Sequence, residues 1–419
     1  MNRITRRALL GTSGALAAGG ALAACGSGFS GNPTTAPSSG ASLSVGTEPI
    51  TVLIGSSGTA ETNAVTDACN SWGSSSGVKV TVIPASNLDQ QAAQGFASGK
   101  PSDLIYTSTN DFQTWSKAGN LYAYASTLPN ASDFYPSLVQ AFTYNNVFST
   151  APKDFSTLQL VINTDLWTKA GLSDSDLPTT WDQLKTVATK LTQGKVVGLS
   201  MSPQIERVGV FLAQNGGGLT SADGKTATAN SDANVAALDY VKTLLAAGCC
   251  KWSSDIGAGW GGEAFGKQLC AMTIEGNWIT GAMSSDYASV KYQVAELPAG
   301  TQKGTLQFTN GWGIAAKSAN IGGVVSLVEY LTTTDQQLSF AKAFGVMPSL
   351  KSAKDQWAQQ NPTMVPFVNG ADYAQNLPAA PGTAAVISDF DSKIPQLAKT
   401  DSKTMLDQVQ SDLSAALGG

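Results

Sequence analysis

No histidine occurs among the 419 residues. A serine or cysteine nucleophile therefore has no imidazole base to draw on, and a zinc site loses its commonest ligand. Acids are plentiful, with 30 Asp and Glu, but no two are singled out by spacing as the pair a glycosidase needs across a cleft. Asp103, at the start of a β-rich run, reads as a turn or capping residue. The run GAGWGG at 257–262 matches G-x-G-x-x-G formally. A dinucleotide site requires a strand directly before that run, and Lys251–Asp255 does not read as one. The tryptophans are more informative. Trp260, Trp278 and Trp312 stand in Gly259-Trp260-Gly261, Gly276-Asn277-Trp278 and Gly311-Trp312-Gly313. They are expected at junctions between loops and regular elements, where an indole can offer its face. Such a face stacks on apolar C–H surfaces, as on one side of a pyranose ring, while Asn and Asp bind the hydroxyls at the rim.

Charge narrows the choice further. The formal net charge is −5, which argues against nucleic acid or an anionic membrane surface as partner. Arg3, Arg6 and Arg7 are terminal, so Arg207 is the only arginine in the body of the chain. Bidentate capture of phosphate or carboxylate normally uses arginine, so a strongly anionic ligand is disfavoured.

The first 25 residues read as an export signal: arginines without acids, a small-residue apolar run from Ala8 to Ala24, and Leu22-Ala23-Ala24-Cys25, which resembles a lipobox. Arg6-Arg7 looks like a twin-arginine signal, although the general secretory route would tolerate the same pair. Cys25 is then the expected lipidation site. Residues 26–47, rich in Gly, Ser, Thr and Pro, are expected to form a flexible tether. Cys69, Cys249, Cys250 and Cys270 could pair in an oxidising compartment or stay as small buried thiols; spacing does not decide.

These side chains need a scaffold, and the body alternates strands with helices. Strand signals fall at 50–55, 78–84, 103–108, 158–163, 196–201, 269–274, 291–297 and 311–316. Helical periodicity separates them, notably over Glu61–Trp72, Trp181–Leu191, Ile205–Gln214, Asn234–Ala247 and Thr404–Leu417. The length favours more than one domain. The reading is two α/β lobes with mostly parallel sheets.

Within that frame, several segments in order carry a resemblance. KDFSTL at 153–158 with INTDLWTKAGL at 162–172, PTTWDQL at 178–184, GEAF at 262–265, AMTIEGNW at 271–278 and GVMP at 345–348 resemble the carbohydrate-type extracellular solute-binding proteins, the maltose-binding-protein-like family of ABC importers. The resemblance covers the chain from about Ile50 to its end. It implies a type II periplasmic-binding-protein fold, with one lobe from 46–154 plus 308–348, the other from 158–305 plus 349–419, and hinges near 154–158 and 305–310. Carried over residue by residue, it implies that Trp278 stacks on ligand with Asn277 beside it. It also places Asn110 and Asp111, Asp154, and more loosely Glu206 at the ligand. Ser56 and Ser57 follow the first strand and should face the cleft, since open α/β sheets bind at the carboxyl ends of their strands. The late segment Pro381–Ala385 departs from the family, offering only small residues where an aromatic or arginine is common. One wall of the cleft is thereby left unassigned.

The expected function is capture of a neutral mono- or oligosaccharide for ABC permease subunits, by a monomer held on the outer face of the cell membrane through Cys25. No catalysis, cofactor, metal or nucleic acid is expected. The alternatives are a secreted glycan hydrolase, a scaffold lipoprotein, and a binding protein for a non-sugar solute such as a glycerol-phosphate compound.

Overall fold

The computed structural model describes residues 43–55 and 58–418. Cys25, Ser56 and Ser57 lie outside the described residues. The strands, in chain order, are β1 (Ile50–Ile54), β2 (Val80–Pro84), β3 (Leu104–Ser108), the short pair β4 (Thr143–Tyr144) and β5 (Val147–Phe148), β6 (Ala151–Asn163), β7 (Val197–Met201), β8 (Cys250–Trp252), β9 (Cys270–Gly276), β10 (Tyr292–Ala295), β11 (Thr305–Ile314), β12 (Met347–Pro348) and β13 (Ala374–Gln375).

β1 carries Ile50, Val52 and Ile54 fully buried, and it pairs in parallel with β2 on one side and β3 on the other. Such uninterrupted apolar runs mark strands covered on both faces. Helices Thr59–Ser76 and Leu88–Ser98 make the crossovers. The second of these is capped by Asn87, whose side chain accepts from the Gln90 amide. Asp103 does act locally: Oδ2 accepts from both the amide and hydroxyl of Thr51, at 2.8 and 2.7 Å, and Oδ1 accepts from Ser318. It ties β1 to β3.

β6 is the central device. It has 13 residues where the sequence pattern indicates a strand only from Leu158 onward. Its first half pairs antiparallel with β11, from Trp312↔Ala151 to Gln307↔Thr157. Its second half pairs with β9, beginning at Leu158↔Gly276, and with β10. The change of partner falls between Thr157 and Leu158. The long path runs β2-β1-β3-β11-β6-β9-β7-β8. Two α/β lobes thus share the strands β6 and β11, each lobe with its own parallel strands at the outside.

In the second lobe, β7 lies parallel to both β8 and β9. Helix Trp181–Leu191 opens on a reciprocal cap: the Thr180 hydroxyl accepts from the Gln183 amide, and the Gln183 side chain accepts from the Thr180 amide. Gly198 on β7 meets this helix so closely that a Cβ would stand 1.9 Å from the Ala188 carbonyl oxygen. The four body cysteines are buried free thiols, which favours the second of the two readings left open by their spacing. Burial pushes the Cys69 thiol up to about 12.

The final residues of the expected tether are ordered against the first lobe. The Gly46 amide donates to Asn320 Oδ1 at 2.8 Å, and Asn320 Nδ2 donates to the Gly46 and Glu48 carbonyls. Among the described residues, no helix is long and apolar enough to cross a membrane.

Candidate functional site

A cleft of about 740 Å³ opens where the two lobes meet over β6 and β11. Its floor is polar. Gln307, Thr309 and Asn310 come from β11, and Asp154 and Ser156 from β6. The register of β6 and β11 is irregular at Asn310/Gly311, and an irregularity of this kind re-aims side chains. Asn110 and Asn310 line the cleft without a side-chain hydrogen bond among the described residues.

Trp278 stands where β9 ends, on the second-lobe wall, and is 38% exposed. Its ring lies against Gly276: a Cβ there would fall 2.2 Å from the indole. Glycine at 276 therefore makes the seat for the ring. Phe308 of β11 meets the indole edge-on at 5.5 Å and 79°. Phe344 and Tyr106 line the opposite wall.

Lys153 is the one cation among the described lining residues, and it is fully engaged. Its Nζ donates to Glu61 Oε1 at 3.1 Å and to Asp154 Oδ2, and it lies over the rings of Tyr106 and Phe344 at 4.6 and 5.1 Å. Burial opposes the ammonium charge, but Asp154 and Glu61 outweigh it and hold the lysine protonated, above its ordinary range. Burial and the neighbouring Glu61 push Asp154 up against the pull of Lys153. On the second lobe, Glu206 and Asp391 face the cleft. Asp391 accepts from the Ile205 amide at 2.7 Å, capping helix Ile205–Gln214. Burial pushes its carboxyl to about 6, helped by Glu206 and opposed by the Ile205 amide and Arg207. Glu206 Oε2 is buried without a partner among the described residues.

The residues singled out in the sequence separate clearly. Trp278, Asn277, Asn110, Asp154 and Glu206 all line the cleft. Asn277 is 97% covered, however, and its side chain is engaged: it accepts from the Ser156 hydroxyl and donates to the Gly345 carbonyl at 2.8 Å. Asp111 does not line the cleft; it accepts from the Ser108 hydroxyl at 2.7 Å, and Ser108 caps the helix by accepting from the Asp111 amide.

Trp312 must be corrected. It is fully buried in the first-lobe core, edge-on to Tyr106 at 5.1 Å, and has no face to offer. Its flanking glycines do not mark a loop. They belong to β11, an interior strand, and admit neighbours: a Cβ at Gly313 would fall 2.2 Å from Thr107 Oγ1, and one at Gly311 would fall 2.7 Å from Thr150 Cγ2. Trp260 is corrected likewise. It precedes helix Gly261–Gly266 with its ring folded over Gly262, packs against the core, and does not line the cleft. The strand β8 does stand before GAGWGG, contrary to expectation, but a 3-10 turn at Ser254–Ile256 separates it from the glycines.

Sequence reasoning passed over Glu61, Lys153, Tyr106, Phe308, Phe344 and Asp391. Lys153 and Asp154 adjoin in sequence, but successive residues of a strand point to opposite faces, so adjacency does not announce their pairing. All six are brought in by tertiary contacts alone. A second hollow of about 620 Å³, between Tyr135 and Asp372, contains none of these residues. Among the described residues, no cluster of His, Cys, Asp and Glu could hold a metal.

This architecture is that of the type II periplasmic binding proteins: two α/β lobes, shared crossing strands and a cleft between. Residues 65–408 match the family of bacterial extracellular solute-binding proteins, and the chain belongs to that family. Among solved structures, it is similar to the cyclic α-maltosyl-1,6-maltose binding protein from Arthrobacter globiformis (20% identity, TM-score 0.78, 89% of this chain and 99% of that one). It is also similar to a cyclo/maltodextrin-binding protein complexed with maltotetraose (18%, 0.77, 90% and 98%). A third is the sugar-binding protein MalE from Xanthomonas citri (14%, 0.77, 88% and 97%).

Proposed function

We propose that this protein captures a neutral sugar or oligosaccharide in the interlobe cleft and delivers it to an ABC importer, without chemistry of its own. The observation that carries this reading is the state of the cleft's charges. Lys153 is held by two carboxylates, and Arg207, behind the second-lobe wall, is held by Glu275 at 2.8 Å. Among the described lining residues no cation is left for a phosphate or carboxylate, which weighs against a glycerol-phosphate ligand. What the cleft presents instead is an open indole face, the amides of Asn110 and Asn310, and the carboxylates of Glu206 and Asp391. Carboxylates and amides of this kind accept from and donate to sugar hydroxyls. The sugar-binding neighbours support the same ligand class.

Lobe boundaries at 46–154 plus 308–348 and 158–305 plus 349–419 accord with this role, as does closure by rotation about β6 and β11 near the partner change. Lipidation at Cys25, a tether and a place on the outer face of the cell membrane would hold the monomer beside its permease. Ser56 and Ser57, which follow the first strand in sequence, remain candidate ligand contacts.

The test is intrinsic tryptophan fluorescence of the protein lacking residues 1–42, titrated with a panel of neutral mono- and oligosaccharides. A saturable change is expected, with Trp278→Ala weakening affinity by about thirtyfold or more, the ~2 kcal/mol typical of an anchoring aromatic. A folded protein silent to every sugar, or one that binds a phosphorylated ligand tightly and in a salt-sensitive way, would sink the reading.

A further inference from the structure

We propose that Glu275 and Arg207 are positioning residues for Trp278, fixing the indole so that it meets a ligand with one face and no polar edge. The inference rests on the reading of the cleft as a sugar site. Glu275 is fully buried near the end of β9. Its Oε2 receives both the Arg207 Nη2 hydrogen, at 2.8 Å, and the Trp278 indole N–H, at 3.1 Å. The Arg207 guanidinium also lies over the indole ring, 5.4 Å from its centroid. The ring is thereby held by a hydrogen bond at its nitrogen, a cation over one face, Phe308 edge-on and the bare backbone of Gly276 against it, which leaves a single face for a ligand.

The glycine-rich loop completes this support. Gly261 closes over the other carboxylate oxygen, and a Cβ there would lie 2.7 Å from Glu275 Oε1. That oxygen and Arg207 Nε have no partner among the described residues. A buried ion pair that is satisfied only in part contributes little net stability. Its consequence here is geometric. A carboxylate locked by its own guanidinium is an immobile acceptor, and it takes up the one hydrogen-bond donor the indole has. Sugar recognition at Trp278 then runs through the ring face alone, already oriented before the ligand arrives, so little entropy is lost on binding.

The test uses the full chain labelled with [15N]tryptophan, the Trp278 indole resonance being identified by its loss in Trp278→Phe. In the wild type without ligand, the indole proton is expected to exchange slowly with solvent, although the residue is more than a third exposed. Exchange as fast as that of a free indole would overturn the proposal, and this arm needs no variant to fold. Glu275→Gln should shift the resonance and weaken the best-binding sugar by about tenfold. Arg207→Met should do the same, while Arg207→Lys, which keeps the charge, should restore most of the affinity. A shifted resonance with unchanged affinity would overturn the positioning role. If no sugar binds the wild type, the sugar reading fails, while the exchange measurement still decides whether Glu275 holds the ring.

Discussion

At the scale of single residues, Trp278 and Trp312 show how the same local sequence serves opposite ends. Both have glycine close by, yet one is the open wall of a cleft and the other is a core side chain. Trp312→Ala should therefore cost ~3–5 kcal/mol of stability, as removal of a large buried aromatic does. Protein that still folds should bind its ligand as the wild type does. Denaturant unfolding alongside a binding titration separates the two effects, and a folded Trp312→Ala protein that no longer binds would restore a ligand role to this residue. Asp391 makes a prediction about pH. Its carboxyl is raised from 3.8 to about 6 in the folded protein. Between those values the native state holds more protons than the unfolded chain, so this group's contribution favours folding below the window and is lost as pH rises through it. Asp391→Asn should remove that fall: the Tm difference between wild type and variant should change between about pH 4 and pH 6, and be flat above. A parallel pair of curves would refute the assignment.

At the scale of elements, the site depends on where β9 stops and on the glycine that stops it. Gly276 closes the strand, pairs with Leu158 at the change of partner, and supplies the bare backbone on which the indole rests. Gly276→Ala places a methyl group inside the space of the ring. The expected cost is ~1–3 kcal/mol from overpacking, paired with a loss of affinity out of proportion to it, since the indole must swing away. Thermal melts and a sugar titration on the same variant check this, and an unchanged affinity would show that the seat does not matter. The helix after Gly382 illustrates the limit of pattern reading. Its small residues suggest a wall with nothing to offer, but Ala384, Ile387, Ser388 and Asp391 of helix Thr383–Lys393 line that side of the cleft.

At the scale of the molecule, Asn277 links the end of β9 to the shared strand and to the first lobe. It accepts from Ser156 on the shared strand β6 and donates to the carbonyl of Gly345, which ends a helix packed on the first lobe. Asn277→Ala removes a bridge of ~1 kcal/mol, which should shift an equilibrium between closed and open lobes by on the order of fivefold toward the open form. Small-angle scattering of the ligand-free protein should then give a larger radius of gyration than wild type, with ligand drawing the two together. Equal radii in both states would show that Asn277 has no part in the proposed closure.

The amino-acid sequence by itself determined the local order. β1, β3, β7 and β9 stand where apolar β-rich runs end in polar or glycine residues, and the Thr180 cap starts its helix where Pro-Thr-Thr-Trp announces it. These depend on interactions within a few residues, so a local pattern suffices to read them. The same locality made Trp278, Asn110 and Asp154 legible as cleft residues, through segments that resemble a family. The tertiary structure decided the rest. The length of β6 and the exchange of its partners arise from pairing with β11 and β9, which lie more than a hundred residues away. Whether a glycine beside tryptophan marks a rim or relieves crowding depends on what packs against it, and so Trp312 and Trp260 could not be told from Trp278. The fate of each charge, Lys153 between two acids and Arg207 on Glu275, is likewise set by distance in space. Burial and ion pairing are properties of the assembled chain, and no local pattern encodes them.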